Sequence, residues 1–158
     1  MKITSKCDVG ASPDFVFARM SDYEAWERAI AKRNTTLVRS PGPIRPGTTW
    51  DTRFRLKGRD RDMLMTLFSE IPGRQVHVTL ADTSLDVDIL ADLIEVAPER
   101  SRIAVSLELR PRNLTARLLI QSLRLAKGKV QGQLDQRVDQ WARNVSQQYR
   151  TAATAKVG

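Results

Sequence analysis

The stretch Val9–Trp26, VGASPDFVFARMSDYEAW, is the most informative part of the chain. Ser12 followed by Pro13 is a typical helix start, because serine caps free backbone N–H groups and proline at the first helical position loses no hydrogen bond. Ser21 and Glu24 have the spacing of a capping box, which predicts a second start. The segment therefore predicts two short helices with a break between them.

Alternating apolar and polar residues predict a sheet after these helices. Trp50, Thr52 and Phe54 alternate with charged residues, as an exposed sheet with one apolar face requires. The same period of two recurs in segments 76–80, 85–89 and 103–109. Residues 63–71 are apolar in both phases, so their orientation is not assigned. With residues 2–9 and 34–40, about seven antiparallel strands are expected.

The end of the chain predicts one long helix. Asn113 follows Pro111 and is a suitable N-cap. Apolar residues then recur at a mean step close to the helical period, and they form one stripe. The stripe consists of Leu119, Leu123, Ala126, Val130, Leu134, Val138, Trp141 and Val145. Residues 151–158 carry no such pattern, and we expect a disordered tail after a single domain at 1–150.

This order of strand, two short helices, six strands and terminal helix resembles the START-like helix-grip superfamily (SRPBCC). The turns Arg45-Pro-Gly47 before Trp50, Glu70-Ile-Pro-Gly73 and Glu95-Val-Ala-Pro98 are similar to turn positions of that superfamily. The resemblance covers nearly the whole chain. It implies an α+β fold in which a curved antiparallel sheet grips the long C-terminal helix over an apolar cavity. The superfamily includes polyketide cyclases or dehydratases, lipid-transfer domains and ubiquinone-binding proteins, so the resemblance implies a pocket without fixing an activity.

Length and composition limit the classes of protein. A chain of 158 residues can bury a core in one domain. Cys7 is the only cysteine, which excludes an internal disulfide, and no signal peptide or apolar span is apparent. We therefore expect a cytoplasmic protein.

The net charge of +8 is unevenly distributed. Residues 1–99 hold 14 Lys and Arg against 15 Asp and Glu, whereas residues 100–158 hold 12 against 3. Such a basic region is either a solvated face or a contact for an anionic membrane or partner. A nucleic-acid partner is not expected, since no aromatic-interleaved basic motif is present.

The apolar face of the sheet and the stripe of the terminal helix must cover each other. In the helix-grip arrangement they would enclose a ligand cavity, although a fully packed core is the alternative. The predicted lining is Trp50, Thr52, Phe54, Met63, Met65, Val87, Val105, Leu107, Leu123, Lys127, Val130 and Leu134. Lys127 lies within the stripe, where it would meet an acidic group of the ligand or extend its ammonium into water.

Polar residues offer few candidates for chemistry. By strand phase, His77, Asp86 and Asp88 point to the outer face, where the two acids are expected to face Arg or Lys across the sheet. Cys7 points inward but has no predictable partner base. No strand of assignable phase puts Asp, Glu or His inward, unless a bulge reverses the register. The sequence therefore predicts no catalytic residue, metal ion or cofactor.

Three functions follow from these observations. The first is non-catalytic binding of a hydrophobic small molecule or lipid in the cavity. The second is an enzyme of the polyketide cyclase or dehydratase kind, acting on an apolar substrate. The third is an adaptor that binds an anionic membrane or a protein partner through the basic C-terminal region.

Overall fold

A computed structural model describes residues 1–33, 35–56 and 58–157. The described residues form one antiparallel sheet of seven strands and four helices. The strands are β1 Lys2–Val9, β2 Thr36–Arg39, β3 Thr49–Leu56, β4 Arg59–Ile71, β5 Gln75–Ala81, β6 Leu85–Ala97 and β7 Arg100–Pro111. The helices are α1 Pro13–Met20, α2 Tyr23–Ala31, α3 Leu114–Leu125 and α4 Lys127–Val157. Asn34, in the predicted second strand, lies outside the described residues.

The sheet has the strand order β1-β7-β6-β5-β4-β3-β2. Consecutive strands from β2 to β7 are neighbours, and β1 closes the far edge by pairing with β7. The helices α1 and α2 bridge the chain from one edge of the sheet to the other. The predicted α+β architecture is therefore confirmed.

Two of the three predicted helix starts are correct. The Phe15 backbone N–H donates to Ser12 Oγ at 3.4 Å, and the Ala116 N–H donates to Asn113 Oδ1 at 2.9 Å. The predicted capping box at Ser21 is wrong, because Asp22 caps α2 and accepts from the Ala25 N–H at 3.2 Å. Ser21 instead ends α1, where its hydroxyl donates a hydrogen bond to the Phe17 carbonyl oxygen at 2.8 Å.

The predicted long helix is divided into α3 and α4. At Ala126 the backbone has φ −103° and ψ 23°, and its N–H donates to the Leu123 carbonyl three residues back, at 3.1 Å. Gly128 and Gly132 follow directly, and each glycine weakens a helix by about 1 kcal/mol relative to alanine. The stripe survives the break, since its members on both sides are buried or half-buried. The prediction of one continuous helix is therefore wrong in this segment alone.

The C-terminal segment is also more regular than predicted. Residues 151–157 continue α4 to Val157, whereas the sequence suggested a disordered tail from 151. Alanine-rich sequence extends a helix at little cost even without an apolar stripe. Thr151 and Thr154 add side-chain hydrogen bonds to carbonyl oxygens four residues earlier. Gly158 lies outside the described residues.

The described buried residues form two apolar clusters on the inner face of the sheet. The first cluster lies where α1 and the second half of α4 pack, and it includes Val16, Leu67 and Val145. The second cluster lies beneath α3 and contains Met63, Leu85 and Ile120. The helices therefore seal the inner face of the sheet at two separate places.

Candidate functional site

The middle of the inner face is less completely covered than its two ends. Cross-strand pairing places Ile89 and Leu107 opposite each other on this face. Leu123 and Val130 lie on the stripe of the helices, on either side of the break. All four are only half-buried, and neither cluster includes them. Solvent therefore reaches these apolar side chains between the two clusters, and we call this region the central gap.

The predicted lining residues divide into three groups. The half-buried ones are Phe54, Met65, Val87, Val105, Leu107, Leu123, Val130 and Leu134. Trp50, Thr52 and Met63 are buried, and the Thr52 hydroxyl donates to the Met63 carbonyl at 2.8 Å, so these three serve as packing. Lys127 is exposed at the first position of α4. Ile89, which we did not predict as lining, shares the alternation of Val87 and could have been found from it.

A β-bulge gives the inner face an acid that the sequence analysis missed. The register between β4 and β5 shifts between Leu67 and Ser69, so that Glu70 pairs with the inward-facing Val76. Tyr23 of α2 donates its phenolic O–H to Glu70 Oε1 at 2.6 Å. Glu70 lies in the strand whose phase the sequence left unassigned, and it reaches the inner face through a bulge, the exception that the prediction allowed. The signal was the double apolar phase of residues 63–71, which a bulge explains.

Burial and the neighbouring carboxylate of Glu70 both raise the pKa of the Tyr23 phenol well above its ordinary value. The phenol therefore remains a hydrogen-bond donor at any physiological pH. It holds the Glu70 carboxylate in one position on the inner face.

A second set of polar contacts begins at the indole of Trp50. The indole N–H donates to Glu27 Oε2 at 3.2 Å, and the other oxygen of Glu27 pairs with Arg39 at 3.1 Å. Tyr23 and Glu27 are four residues apart on α2, so they lie on one face of that helix. This face of α2 therefore supplies the polar contacts at one end of the sheet.

The opposite end of the inner face carries an ion pair. Arg61 pairs with Phe54 across the strands and so shares its inward face. Its guanidinium donates to Asp82 Oδ2 at 3.2 Å. The other oxygen of Asp82 accepts the backbone N–H groups of Ser84 and Leu85, both at 2.7 Å. The Asp82 carboxylate is thus fixed by the β5–β6 turn, and it orients Arg61.

The outer face carries the polar residues expected there. Asp88 accepts from His77 Nε2 at 2.9 Å and pairs with Arg110, and Asp86 pairs with Arg112 at 2.9 Å. Burial raises the pKa of Asp88, but the hydrogen bonds from His77 and Arg110 outweigh it and hold the pKa below its ordinary value. The predicted acid–arginine pairs across the sheet are confirmed. In the described residues, no group of three or more His, Cys, Asp or Glu side chains is arranged to hold a metal ion.

Two shallow surface clefts lie away from the central gap. One, of about 590 Å³, includes Cys7, Asp139 and Arg143 between β1 and α4. The other, of about 420 Å³, lies over β2–β4. Of the residues predicted to line the cavity, it contacts Thr52 and Met63. Burial, with a contribution from Asp139, raises the pKa of the Cys7 thiol from 9.0 to about 11, which disfavours its use as a nucleophile.

No protein-family model and no curated protein sequence matches this chain. Solved structures do. A norcoclaurine synthase from Thalictrum flavum, in complex with dopamine and hydroxybenzaldehyde, is 13% identical with a TM-score of 0.65, over 92% of this chain and 86% of that chain. A START superfamily protein from Mycobacterium smegmatis is 14% identical with a TM-score of 0.54, over 85% and 97% of the two chains. An aromatase/cyclase from Streptomyces sp. R1128 is 9% identical with a TM-score of 0.59, over 84% and 88%.

The chain has the START-like (SRPBCC) helix-grip fold that its sequence resembles. At these identities the similarity shows the fold alone. Among the described helices, none is both long and apolar enough to cross a membrane.

The raised pKa of Cys7 predicts slow alkylation. With a pKa of about 11 the thiolate fraction at pH 8 is about a hundredfold smaller than with the ordinary value of 9.0. The rate of reaction with iodoacetamide should therefore be about a hundredfold lower in the folded protein than in urea, and it should rise about tenfold per pH unit up to about pH 10. Equal rates for folded and unfolded chains at pH 8 would contradict the raised pKa of the Cys7 thiol.

Proposed function

We propose that the protein binds a hydrophobic small molecule or lipid in the central gap, without changing it chemically. The observation that carries this proposal is the half-burial of apolar residues, Ile89 and Leu107 on the inner face of the sheet and Leu123 and Val130 on the stripe of the helices. A fully packed core would bury these side chains, as both neighbouring clusters do. A bound apolar molecule would complete the burial.

The exposed apolar surface also supplies the driving force. A ligand that covers roughly 300 Å² of apolar surface gains about 7.5 kcal/mol at about 25 cal/mol per Å², before the cost of immobilising it. Met65 adds an adaptable side chain at the edge of the first cluster, which suits an irregular ligand.

Polar groups at the two ends of the inner face would set the orientation of the ligand. Arg61, fixed by Asp82, can donate to an acidic or carbonyl group at one end. Glu70, fixed by Tyr23, can accept from a hydroxyl group at the other end. The norcoclaurine synthase structure with dopamine and hydroxybenzaldehyde supports the use of this fold for small ligands that have both apolar and polar parts.

We also propose a reducing compartment, the cytoplasm, as the place where the protein works. The single cysteine of the sequence supports this proposal, because proteins of oxidising compartments commonly carry paired cysteines.

Native mass spectrometry of protein purified without detergent tests the binding proposal. We expect a discrete added mass, which organic extraction then identifies. Leu123→Trp should lower the occupancy at least about tenfold, because the indole fills the space that the ligand needs. Leu125→Trp is the matched control on the same helix, since Leu125 points to solvent and its replacement leaves the gap unchanged.

Bare wild-type protein that also takes up no member of a lipid and quinone panel would contradict the proposal. Equal loss of the ligand from both tryptophan variants would contradict the assignment to the central gap. Thermal unfolding of each variant shows that a loss of ligand does not reflect a loss of the fold.

The bulge favours a second candidate function, an enzyme of the polyketide cyclase or dehydratase kind. Such an enzyme needs an acid or base positioned at its substrate. Glu70 is an inward-facing carboxylate held by a hydrogen bond from Tyr23, and we propose it for this role. The similarity in fold to an aromatase/cyclase from Streptomyces sp. R1128 supports the same candidate.

Incubation of the extracted ligand with fresh protein separates the two functions. If the protein is an enzyme, mass spectrometry should detect a product, and Glu70→Gln should slow its formation about a hundredfold or more. Glu108→Gln is the control. Glu108 lies opposite the outward-facing Asp88 in the register of β6 and β7, so it is on the outer face of the sheet. A ligand that wild-type protein returns unchanged would exclude turnover of that molecule and leave the binding function.

A further inference from the structure

The outer face of α3 exposes a row of large apolar side chains. Leu114, Leu118 and Leu125 are 72%, 59% and 92% exposed. They are spaced by four and seven residues, so they lie along one side of the helix. Scattered apolar residues are normal on a protein surface, but an aligned row on one short helix marks a contact surface. We call this row the leucine ridge.

The ridge is additional to the apolar face by which α3 packs on the sheet. Ala116 and Ile120 are buried on the opposite side of the helix, with Leu119 and Leu123 half-buried beside them. The core therefore does not need the ridge leucines. A surface helix that has two apolar faces packs one of them on the core and covers the other with an apolar partner.

The charges next to the ridge indicate which kind of partner covers it. From residue 112 to residue 134 the sequence contains five cationic residues and no Asp or Glu. Arg117 and Arg124 lie within α3, and Lys127 and Lys129 begin α4. Within the part of the chain that the structure describes, none of these four takes part in an ion pair. The ridge is therefore accompanied by cations that have no carboxylate partner among the residues that the structure describes.

We propose that α3 docks the protein on an anionic lipid bilayer, with the leucine ridge inserted at the level of the headgroups. Arg117 and Arg124 flank the ridge on one side, from which long cationic side chains reach lipid phosphates while their stems lie against apolar surface. A second copy of the chain is disfavoured as the occupant. A two-fold contact through this ridge would bring two sets of the same cations together.

This docking goes beyond the proposed function and does not depend on it. Leu123, on the inner side of the same helix, borders the central gap, so a bilayer bound at the ridge would lie next to the proposed ligand site. The helix break at Ala126 separates α3, which carries both the ridge and Leu123, from α4. Vesicle binding and ligand binding can be measured separately, because the ridge is exposed whether or not the gap is filled.

Co-sedimentation with vesicles tests the docking. The full-length protein should bind vesicles in which about a third of the phosphatidylcholine is replaced by phosphatidylglycerol, and it should bind far less to phosphatidylcholine alone. Leu118→Gln with Leu125→Gln should weaken binding about tenfold or more, because it removes the inserted apolar surface. Arg117→Gln with Arg124→Gln should weaken it roughly fivefold per charge and reduce its sensitivity to salt.

Val38→Gln with Phe68→Gln is the matched control. These side chains are 65% and 62% exposed, comparable to the ridge, but lie on the sheet and away from α3. The control should bind vesicles like the wild type, and all variants should keep the wild-type melting temperature because the replaced side chains are exposed.

Three results would overturn the proposal. Wild-type protein that binds neither kind of vesicle excludes membrane docking. Loss of binding in the sheet variant, equal to that in the ridge variant, excludes the ridge as the contact. A vesicle-free dimer that the ridge variant converts to monomer assigns the ridge to a second copy of the chain.

Discussion

The apolar inner face of a seven-stranded sheet must be shielded from water, and the helices of this protein shield its two ends better than its middle. At one end α1 and the second half of α4 bury a cluster around Leu67 and Val145. At the other end α3 buries Met63 and Leu85 under Ile120. The space between these clusters is bordered by half-buried apolar side chains. The arrangement of the helices, more than any single polar residue, therefore defines the candidate site.

The polar groups of the inner face lie at the ends of this space and are each held by a partner. Tyr23 holds Glu70, and the β5–β6 turn holds Asp82, which orients Arg61. Fixed polar groups around an apolar centre can orient a ligand, and they can also exchange a proton with it. The difference between a carrier and an enzyme thus depends on whether a ligand atom reaches Glu70.

The helix α3 connects the two proposals. Its inner side borders the central gap through Leu123, and its outer side carries the leucine ridge. The same twelve-residue element thus contacts both the proposed ligand site and the proposed membrane surface. The break at Ala126 separates it from α4, which packs along β1.

Most of the fold could be predicted because it depends on repeated local signals. The alternation around Trp50 and the caps Ser12 and Asn113 identify strands and helix starts from a few neighbouring residues. Ser21 and Asp22 are adjacent and both suitable caps, so only the structure selects between them. The helix break also depends on tertiary packing, since the apolar stripe continues through Ala126 without interruption.

The candidate site was less predictable for a specific reason. Strand phase assigns a residue to a face only while the register is regular, and the bulge after Leu67 shifts it. Glu70 thereby moves to the inner face, against the parity of Met63 and Met65. The exposed leucines of α3 were not distinguished either, because apolar residues on both sides of a helix resemble a wide core-facing stripe.

The most direct test of the central gap is a crystal structure determined under xenon pressure on protein from which any bound ligand has been extracted. Xenon enters apolar spaces that side chains leave unfilled, and it needs no knowledge of the natural ligand. We predict xenon between Leu107 on the sheet and Val130 on α4. Xenon found elsewhere in the crystal but absent from this position would show that the gap is packed, and it would contradict the account.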